Sequence, residues 1–237
     1  MNPFNYLMLI SSGLVSLSVL FYAPVVLLAT SFGSRRLTTL SIRFWMRWVM
    51  GAFFLRVKVE GLENYDPAQP ALLVSNHQSH LDIPALYTAL SGHIRMVGKQ
   101  ELFDIPVFGA CLKACECIPI ARESRHAGAE VSRKIRDKIR SGLQIWVAPE
   151  GTRSPDGVVR PFKRGSFGIA IDAGVPIQPI VILDARLALP KSSIVPRPFR
   201  TVHLKILPPI NTQGMGSQDK AGLAERCRQM IISEMKS

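Results

Sequence analysis

Ala71-Leu72-Leu73-Val74-Ser75-Asn76-His77-Gln78-Ser79-His80-Leu81-Asp82 is the stretch whose reading decides the fold. Its first four residues form an apolar run too short for a helix, the pattern of a buried strand, and the polar residues that follow mark a strand end. Outward from it, the pattern predicts further strands over residues 94–97, 117–120, 143–147, 177–183 and 202–207. Helices are predicted between them over 83–90, 107–115, 124–141 and 166–173, and again over 220–235. Residues 62–70 read as a linker. Strands alternating with helices predict an α/β fold: a mixed, mostly parallel sheet flanked by helices, with the functional groups on loops at strand ends.

Upstream, the first 34 residues carry no charge, and the first charged side chain is Arg35. The apolar stretch over 4–32 is long enough, at about 1.5 Å per residue, to cross a hydrocarbon core about 30 Å thick. A second stretch over 37–55 mixes Arg43, Arg47, Trp45 and Trp48 with aliphatic residues, a composition suited to the headgroup layer. An N-terminal membrane-embedded two-helix segment therefore precedes the α/β fold. Residues 1–56 are expected to anchor and 57–237 to form the α/β domain. The anchor is either one spanning helix followed by an interfacial one, or a hairpin that dips into one leaflet. Arg35 and Arg36 beside the turn are expected at anionic headgroups, which by the positive-inside rule puts the domain on the cytoplasmic face of the cell membrane.

Over all 237 residues, 29 Lys and Arg stand against 17 Asp and Glu, a formal charge of +12. A pI near 10.0 combined with a mean hydropathy of +0.18 fits a membrane surface, which offers both lipid and phosphate. The positive excess concentrates at residues 1–60 and 120–165. It is accompanied by no zinc-finger spacing, RNP-type aromatic run or helix-turn-helix pattern, which argues against nucleic acid as a partner. Cys111, Cys115 and Cys117 crowd into seven residues without a Cys-x-x-Cys pair, so they read as reduced packing thiols, and no metal site is expected. The basic helix over 124–141 suits an anionic bilayer, the phosphates of a nucleotide carrier or plain solvent. Arg186, Lys191, Arg197 and Arg200, among prolines 190, 196 and 198, form a basic loop suited to the membrane.

Two motifs carry chemistry. His77 and Asp82 stand five positions apart where a strand gives way to a helix. If the turn folds back, Asp82 fixes the His77 tautomer through Nδ1 and leaves Nε2 as a base. His80 is the other imidazole in reach, but side chains two apart on a helix face different ways. No Gly-x-Ser-x-Gly elbow occurs, which disfavours a serine nucleophile. Further on, Pro149-Glu150-Gly151-Thr152-Arg153-Ser154 sets a glycine turn, a hydroxyl and a guanidinium at another strand end, a group suited to a phosphate monoester. Lys163 and Arg122 are two further cations near strand or helix ends.

With Ile118-Pro119-Ile120-Ala121-Arg122 and Val175-Pro176-Ile177-Gln178-Pro179, these motifs resemble, in order and spacing, the four blocks of the glycerolipid acyltransferase family, most nearly its 1-acyl-sn-glycerol-3-phosphate acyltransferase branch. The resemblance implies His77 as general base and Asp82 as its orienter. It implies Glu150, Gly151, Thr152 and Arg153 as the acceptor-binding block, Arg122 and Lys163 as substrate-binding cations, and Pro179 in a block that shapes the acyl pocket. Ala121 departs from the Asp that many members carry before the arginine. The implied reaction moves an acyl group from acyl-coenzyme A or acyl-carrier protein, as co-substrate and without a further cofactor, to the 2-hydroxyl of 1-acylglycerol 3-phosphate in the membrane, giving phosphatidic acid. Glycerol 3-phosphate, another lysophospholipid or a lyso-aminolipid are alternative acceptors. A non-catalytic phospholipid-binding protein and a lysophospholipase are the rival functions.

Overall fold

The computed structural model describes residues 3–120 and 125–235. Its strands are β1 (Arg56–Glu60), β2 (Leu72–Ser75), β3 (Ile94–Lys99), β4 (Ile118–Ile120), β5 (Gln144–Val147), β6 (Ile177–Leu183) and β7 (Thr201–Ile206). The helices are α1 (Pro3–Ser31), α2 (Arg35–Ala52), α3 (Asp82–Ala89), α4 (Gln100–Phe103), α5 (Phe108–Ala114), α6 (Arg125–Arg140), α7 (Gly165–Ala173), α8 (Ala185–Ala188) and α9 (Lys220–Met235). One sheet runs in the order β1-β7-β6-β2-β5-β3-β4. From β6 to β4 every pairing is parallel, β7 lies antiparallel on β6, and β1 runs parallel to β7. This is the mixed, mostly parallel sheet that the alternation predicts.

The central strand β2 is buried along its whole length because both faces are covered, as parallel sheets require. On one face Leu73, Met96, Trp146, Ile180 and Val202 pack with α2, α3 and α8. On the other, Leu72, Val74, Ile145 and Val181 pack with α6, α7 and α9. The cysteines are unbonded, and Cys115 and Cys227 are buried, one in each cluster.

Two features depart from the sequence reading. Strand β1 has no apolar run. Arg56, Lys58 and Glu60 alternate with Val57 and Val59 because β1 is an edge strand that pairs only with β7 and leaves every second side chain in water. The linker is also tied down. Leu62–Asn64 form a 3-10 turn, and the Tyr65 hydroxyl is buried against the Gln144 amide oxygen while accepting from Gly92 N at 3.0 Å.

Helix α1 runs unbroken through Pro24, and most of its surface is apolar and open, with Ile10, Leu14, Leu17, Phe21 and Leu28 exposed. A stretch of 26 residues, Tyr6–Ser31, is long and apolar enough to cross a membrane. Helix α2 lies between α1 and α3. It buries Ile42, Val49 and Met50, while the Trp45 Nε1–H donates to Ser18 Oγ of α1 at 3.0 Å and its ring stacks on Tyr22. Ser34 caps α2 by accepting from Leu37 N at 3.3 Å.

The charges at this hairpin divide differently from the sequence expectation. Arg36 and Arg47 are exposed. Arg35 instead turns into the domain: its Nε–H donates to Glu116 Oε2 at 3.2 Å, and its guanidinium also bonds to the Ser141 carbonyl and hydroxyl. Lys138 Nζ reaches the other Glu116 oxygen at 2.7 Å. Arg43 donates from Nε to the Tyr87 carbonyl at 3.3 Å. Two of the four cations therefore fasten the hairpin to the domain.

Partial burial pushes the Glu116 carboxyl up, but its bonds from Lys138 and Arg35 outweigh this and hold it below the usual glutamate range. A carboxyl held low contributes stability that is present above its unfolded pKa and is lost as pH falls through the folded one. Glu116→Gln is expected to cost up to about 1 kcal/mol at pH 7, roughly 2–4 °C in melting temperature. In thermal unfolding of detergent-solubilised protein, the gap to wild type closes as pH falls below the glutamate range.

Candidate active site

Where β2 ends, the chain crosses the carboxyl ends of the strands before α3 begins, and its first residues are held to the neighbouring strand. Asn76 donates from Nδ2 to the Ile182 carbonyl and accepts from Ile182 N, both at 2.8 Å, so an amide side chain continues the pairing of β2 with β6. Ser75 Oγ accepts from Trp146 Nε1 of β5 at 2.9 Å.

The turn then folds back on Asp82, the first residue of α3, which is fully buried. Asp82 Oδ2 accepts from Gln78 N at 2.8 Å and Ser79 N at 3.1 Å, and it lies 2.7 Å from His77 Nδ1. A carboxylate only accepts, so Nδ1 carries the proton and the lone pair of neutral His77 sits on Nε2. The start of a helix also favours negative charge. The His77 ring meets the Trp146 ring edge-on, with centroids 5.9 Å apart, and keeps 19% of its side-chain surface accessible. The imidazole is thus oriented from two sides and open at its basic nitrogen.

The second motif leaves β5, the neighbour of β2, and so arrives beside His77. Glu150 is buried, and both its oxygens are occupied: Oε1 accepts from His77 N at 2.8 Å and Oε2 from Arg160 N at 2.9 Å. Ser154 N donates back to the His77 carbonyl at 2.8 Å. Burial pushes the Glu150 carboxyl up, and these two bonds offset only part of that. Glu150, expected in the acceptor-binding block, braces the backbone of that block and of the base.

Gly151 adopts φ +73°, a conformation that strains any L side chain, and Lys163 lies over the turn, its Nζ 2.7 Å from where a Cβ would stand. Thr152 is exposed. Arg153 is half-buried, with a buried Nη1 that has no partner among the described residues. Partial burial, and then the Arg153 charge, push His80 below the usual imidazole range, so His80 remains neutral near the guanidinium.

His77, Asp82, Glu150, Gly151, Thr152, Arg153 and Lys163 therefore meet at one end of the sheet. Arg122 lies outside the described residues. Pro179 sits inside β6 opposite Val74, away from the strand end that Asn76 grips. Lys191 is an addition that sequence reading assigned only to a membrane loop. Its Nζ donates to the Arg153 carbonyl at 2.8 Å and Thr152 Oγ1 at 3.2 Å. Its proline-flanked setting gave no spacing from which that contact could be read.

A narrow apolar cleft lies between the hairpin and the sheet face that carries Trp146, lined by Val19, Tyr22, Trp45, Tyr87, Met96 and Cys117 among others.

Comparison with known proteins places this geometry. Residues 56–183 match the Acyltransferase family model. The chain belongs to that family. It is an acyltransferase, and its membrane association accords with the apolar, exposed surface of α1. Over 219 residues it is 31% identical to the sheep (Ovis aries) 1-acyl-sn-glycerol-3-phosphate acyltransferase alpha, covering 91% of this chain and 75% of that one. A Brassica napus chloroplastic 1-acyl-sn-glycerol-3-phosphate acyltransferase, BAT2, is 34% identical over 141 residues, 59% of this chain and 41% of the relative. The crystal structure of the 1-acyl-sn-glycerophosphate acyltransferase PlsC from Thermotoga maritima superposes with a TM-score of 0.84 at 28% identity, covering 98% of this chain and 96% of that one. The acyltransferase and that structure therefore share the hairpin as well as the α/β domain.

The two acceptor-block side chains separate in a stability measurement. Glu150→Ala removes the acceptor of the His77 and Arg160 N–H groups, of which the exposed Arg160 can turn to water, and is expected to cost about 1–3 kcal/mol. Arg153→Ala removes a group whose Nη1 is already unpaired and shifts the melting temperature by no more than roughly 1–2 °C.

Proposed function

We propose that the enzyme transfers a fatty acyl group from acyl-coenzyme A or acyl-carrier protein to the 2-hydroxyl of 1-acylglycerol 3-phosphate, forming phosphatidic acid. The observation that carries this reading is the His77–Asp82 pair, with its Nε2 open, beside a guanidinium nitrogen of Arg153 that has no partner among the described residues. A base with no adjoining nucleophile among the described residues suits direct attack by an acceptor hydroxyl. A guanidinium with an unsatisfied nitrogen suits the phosphate of that acceptor, since Arg can bind phosphate with two parallel hydrogen bonds. The names of the relatives support the same acceptor.

In the step proposed, His77 Nε2 takes the proton of the 2-hydroxyl as its oxygen attacks the thioester carbonyl. The tetrahedral centre then collapses, the C–S bond breaks, and the thiolate leaves and takes up the proton from His77. Asp82 supports the imidazolium in between. Arg153 holds the acceptor phosphate, with Lys163 and Lys191 adding positive charge around the Gly151 turn, and Arg122 joins them as a further cation. The apolar cleft under the hairpin is suited to an acyl chain. Acid–base transfer of this kind balances with the thioester as co-substrate and needs no further cofactor. Residues 1–56 serve as the anchor of the domain formed by 57–237, on the cytoplasmic face, where Arg36 and Arg47 meet anionic headgroups.

Purified full-length enzyme given labelled acyl-coenzyme A or acyl-carrier protein and a panel of lyso-acceptors is expected to make phosphatidic acid. Release of free fatty acid without an acylated product would sink the reading. General-base assistance is worth about 10²–10⁴ in rate, so His77→Ala should lose that much turnover while still folding. Arg153→Ala should raise KM for the phosphate acceptor and leave KM for the thioester nearly unchanged.

A further inference from the structure

The segment over residues 190–200, between α8 and β7, displays apolar side chains that the catalytic reading leaves without a use. Ile194 is 80% exposed, as much as Phe21 on the apolar surface of α1, and Phe199 is 69% exposed. Phe199 packs on the half-open Phe54 with ring centroids 5.4 Å apart. Lys191, Arg197 and Arg200 are exposed among them, and the segment contains no acidic residue.

The loop is also built rather than slack. Arg197 N donates to the Ala188 carbonyl at 2.7 Å, Phe199 N to the Phe54 carbonyl at 3.1 Å, and Arg56 N to the Arg200 carbonyl at 3.0 Å. Ser193 Oγ closes a local turn through the Val195 carbonyl and N, both at 3.0 Å. Pro190, Pro196 and Pro198 fix their own φ. The ordering cost of presenting Ile194 and Phe199 outward has thus been met within the fold, as in a preorganised docking surface.

Two contacts say what it faces. Ser12 Oγ of α1, which donates to the Met8 carbonyl of its own helix at 2.9 Å, lies 3.3 Å from the Ile194 carbonyl, so the loop abuts the stretch of α1 that exposes Leu9, Ile10 and Leu14. At its other end Lys191 holds the Thr152–Arg153 turn. Apolar tips ringed by cations and abutting an apolar, exposed helix match a bilayer leaflet with anionic headgroups.

We propose that residues 190–200 form a second bilayer-contact element, in which Ile194 and Phe199 enter the acyl-chain boundary of an anionic leaflet, Arg197 and Arg200 meet headgroup phosphates, and Lys191 keeps the acceptor turn at that surface. The inference rests on the reading of the site as one that takes its acceptor from the membrane. The loop then acts as a threshold: a lyso-lipid in the leaflet lies level with Arg153.

The test has one arm that requires no catalysis. Full-length Ile194→Trp enzyme is reconstituted in vesicles of phosphatidylcholine and phosphatidylglycerol, with and without brominated acyl chains, and the wild-type tryptophan emission is subtracted. The added emission should be blue-shifted and quenched at least about two-fold by bromine, as for a side chain at the acyl-chain boundary. Unquenched emission at a water-exposed wavelength overturns the proposal and would leave a protein partner as the occupant of the loop.

The second arm uses Ile194→Ser/Phe199→Ser enzyme, first checked for wild-type thermal unfolding. Its kcat/KM should fall about five-fold or more on lysophosphatidate embedded in such vesicles, and change less than about two-fold on a short-chain, water-soluble lysophosphatidate. An equal loss on both substrates, or no loss on either, overturns it. If the enzyme lacks acyltransferase activity altogether, the reaction fails while the bromine result still decides the docking.

Discussion

A carboxylate with no access to water draws on the donors within its reach, and at Asp82 two backbone amides and the His77 ring converge on Oδ2, while Oδ1 has no partner among the described residues. The other elements of the site follow from that requirement. Bringing these three donors to Oδ2 winds residues 77–79 around the start of α3. That winding points the His77 carbonyl and N–H toward the loop after β5, where Ser154 and Glu150 take them. His77 and the Glu150–Ser154 turn are therefore one hydrogen-bonded unit built on two neighbouring strands. Each half corrects the position of the other, which is how a site on loops acquires the rigidity that catalysis by positioning needs.

The positive charge divides into structural and outward-facing uses that composition alone does not separate. Arg35 and Arg43 neutralise or cap groups of the domain, whereas Arg36 and Arg47 stay in the open. Arg153 keeps a nitrogen with no partner among the described residues at the sheet end, and its turn is held by Lys191 and is tied to His77 N through the Glu150 side chain. A cation already paired within the protein is unavailable to a ligand, so the unpaired ones are the more informative.

Much of this could be read from the chain because the physics was local. A run such as Leu72-Leu73-Val74 has to be covered on both faces, and the five residues from His77 to Asp82 are few enough that a turn and a helix start fix their meeting. What escaped the sequence depended on distance or on an edge. Strand β1 alternates charge with valine, so it has the look of a surface segment until β7 pairs with it. Helices α4 and α8 are single turns of four residues, too short to show a period. The brace role of Glu150 requires the amide of a residue 73 positions earlier, and the contact of Lys191 requires the path of a loop 38 residues beyond Arg153. Motif spacing brings such residues to the same region without saying which atoms they spend there.

The order of the sheet also has a consequence for how the enzyme comes into being. Strand β5 is inserted between β2 and β3, and β6 closes the other side of β2, so neighbours in space are distant in the chain. Non-local pairing of this kind forms slowly, and during synthesis it waits for the later segments to appear. By the time β5 and β6 emerge to complete the pocket around His77, α1 has long been available to the bilayer. The strand end that carries His77 is therefore completed only after the whole apolar hairpin has been made.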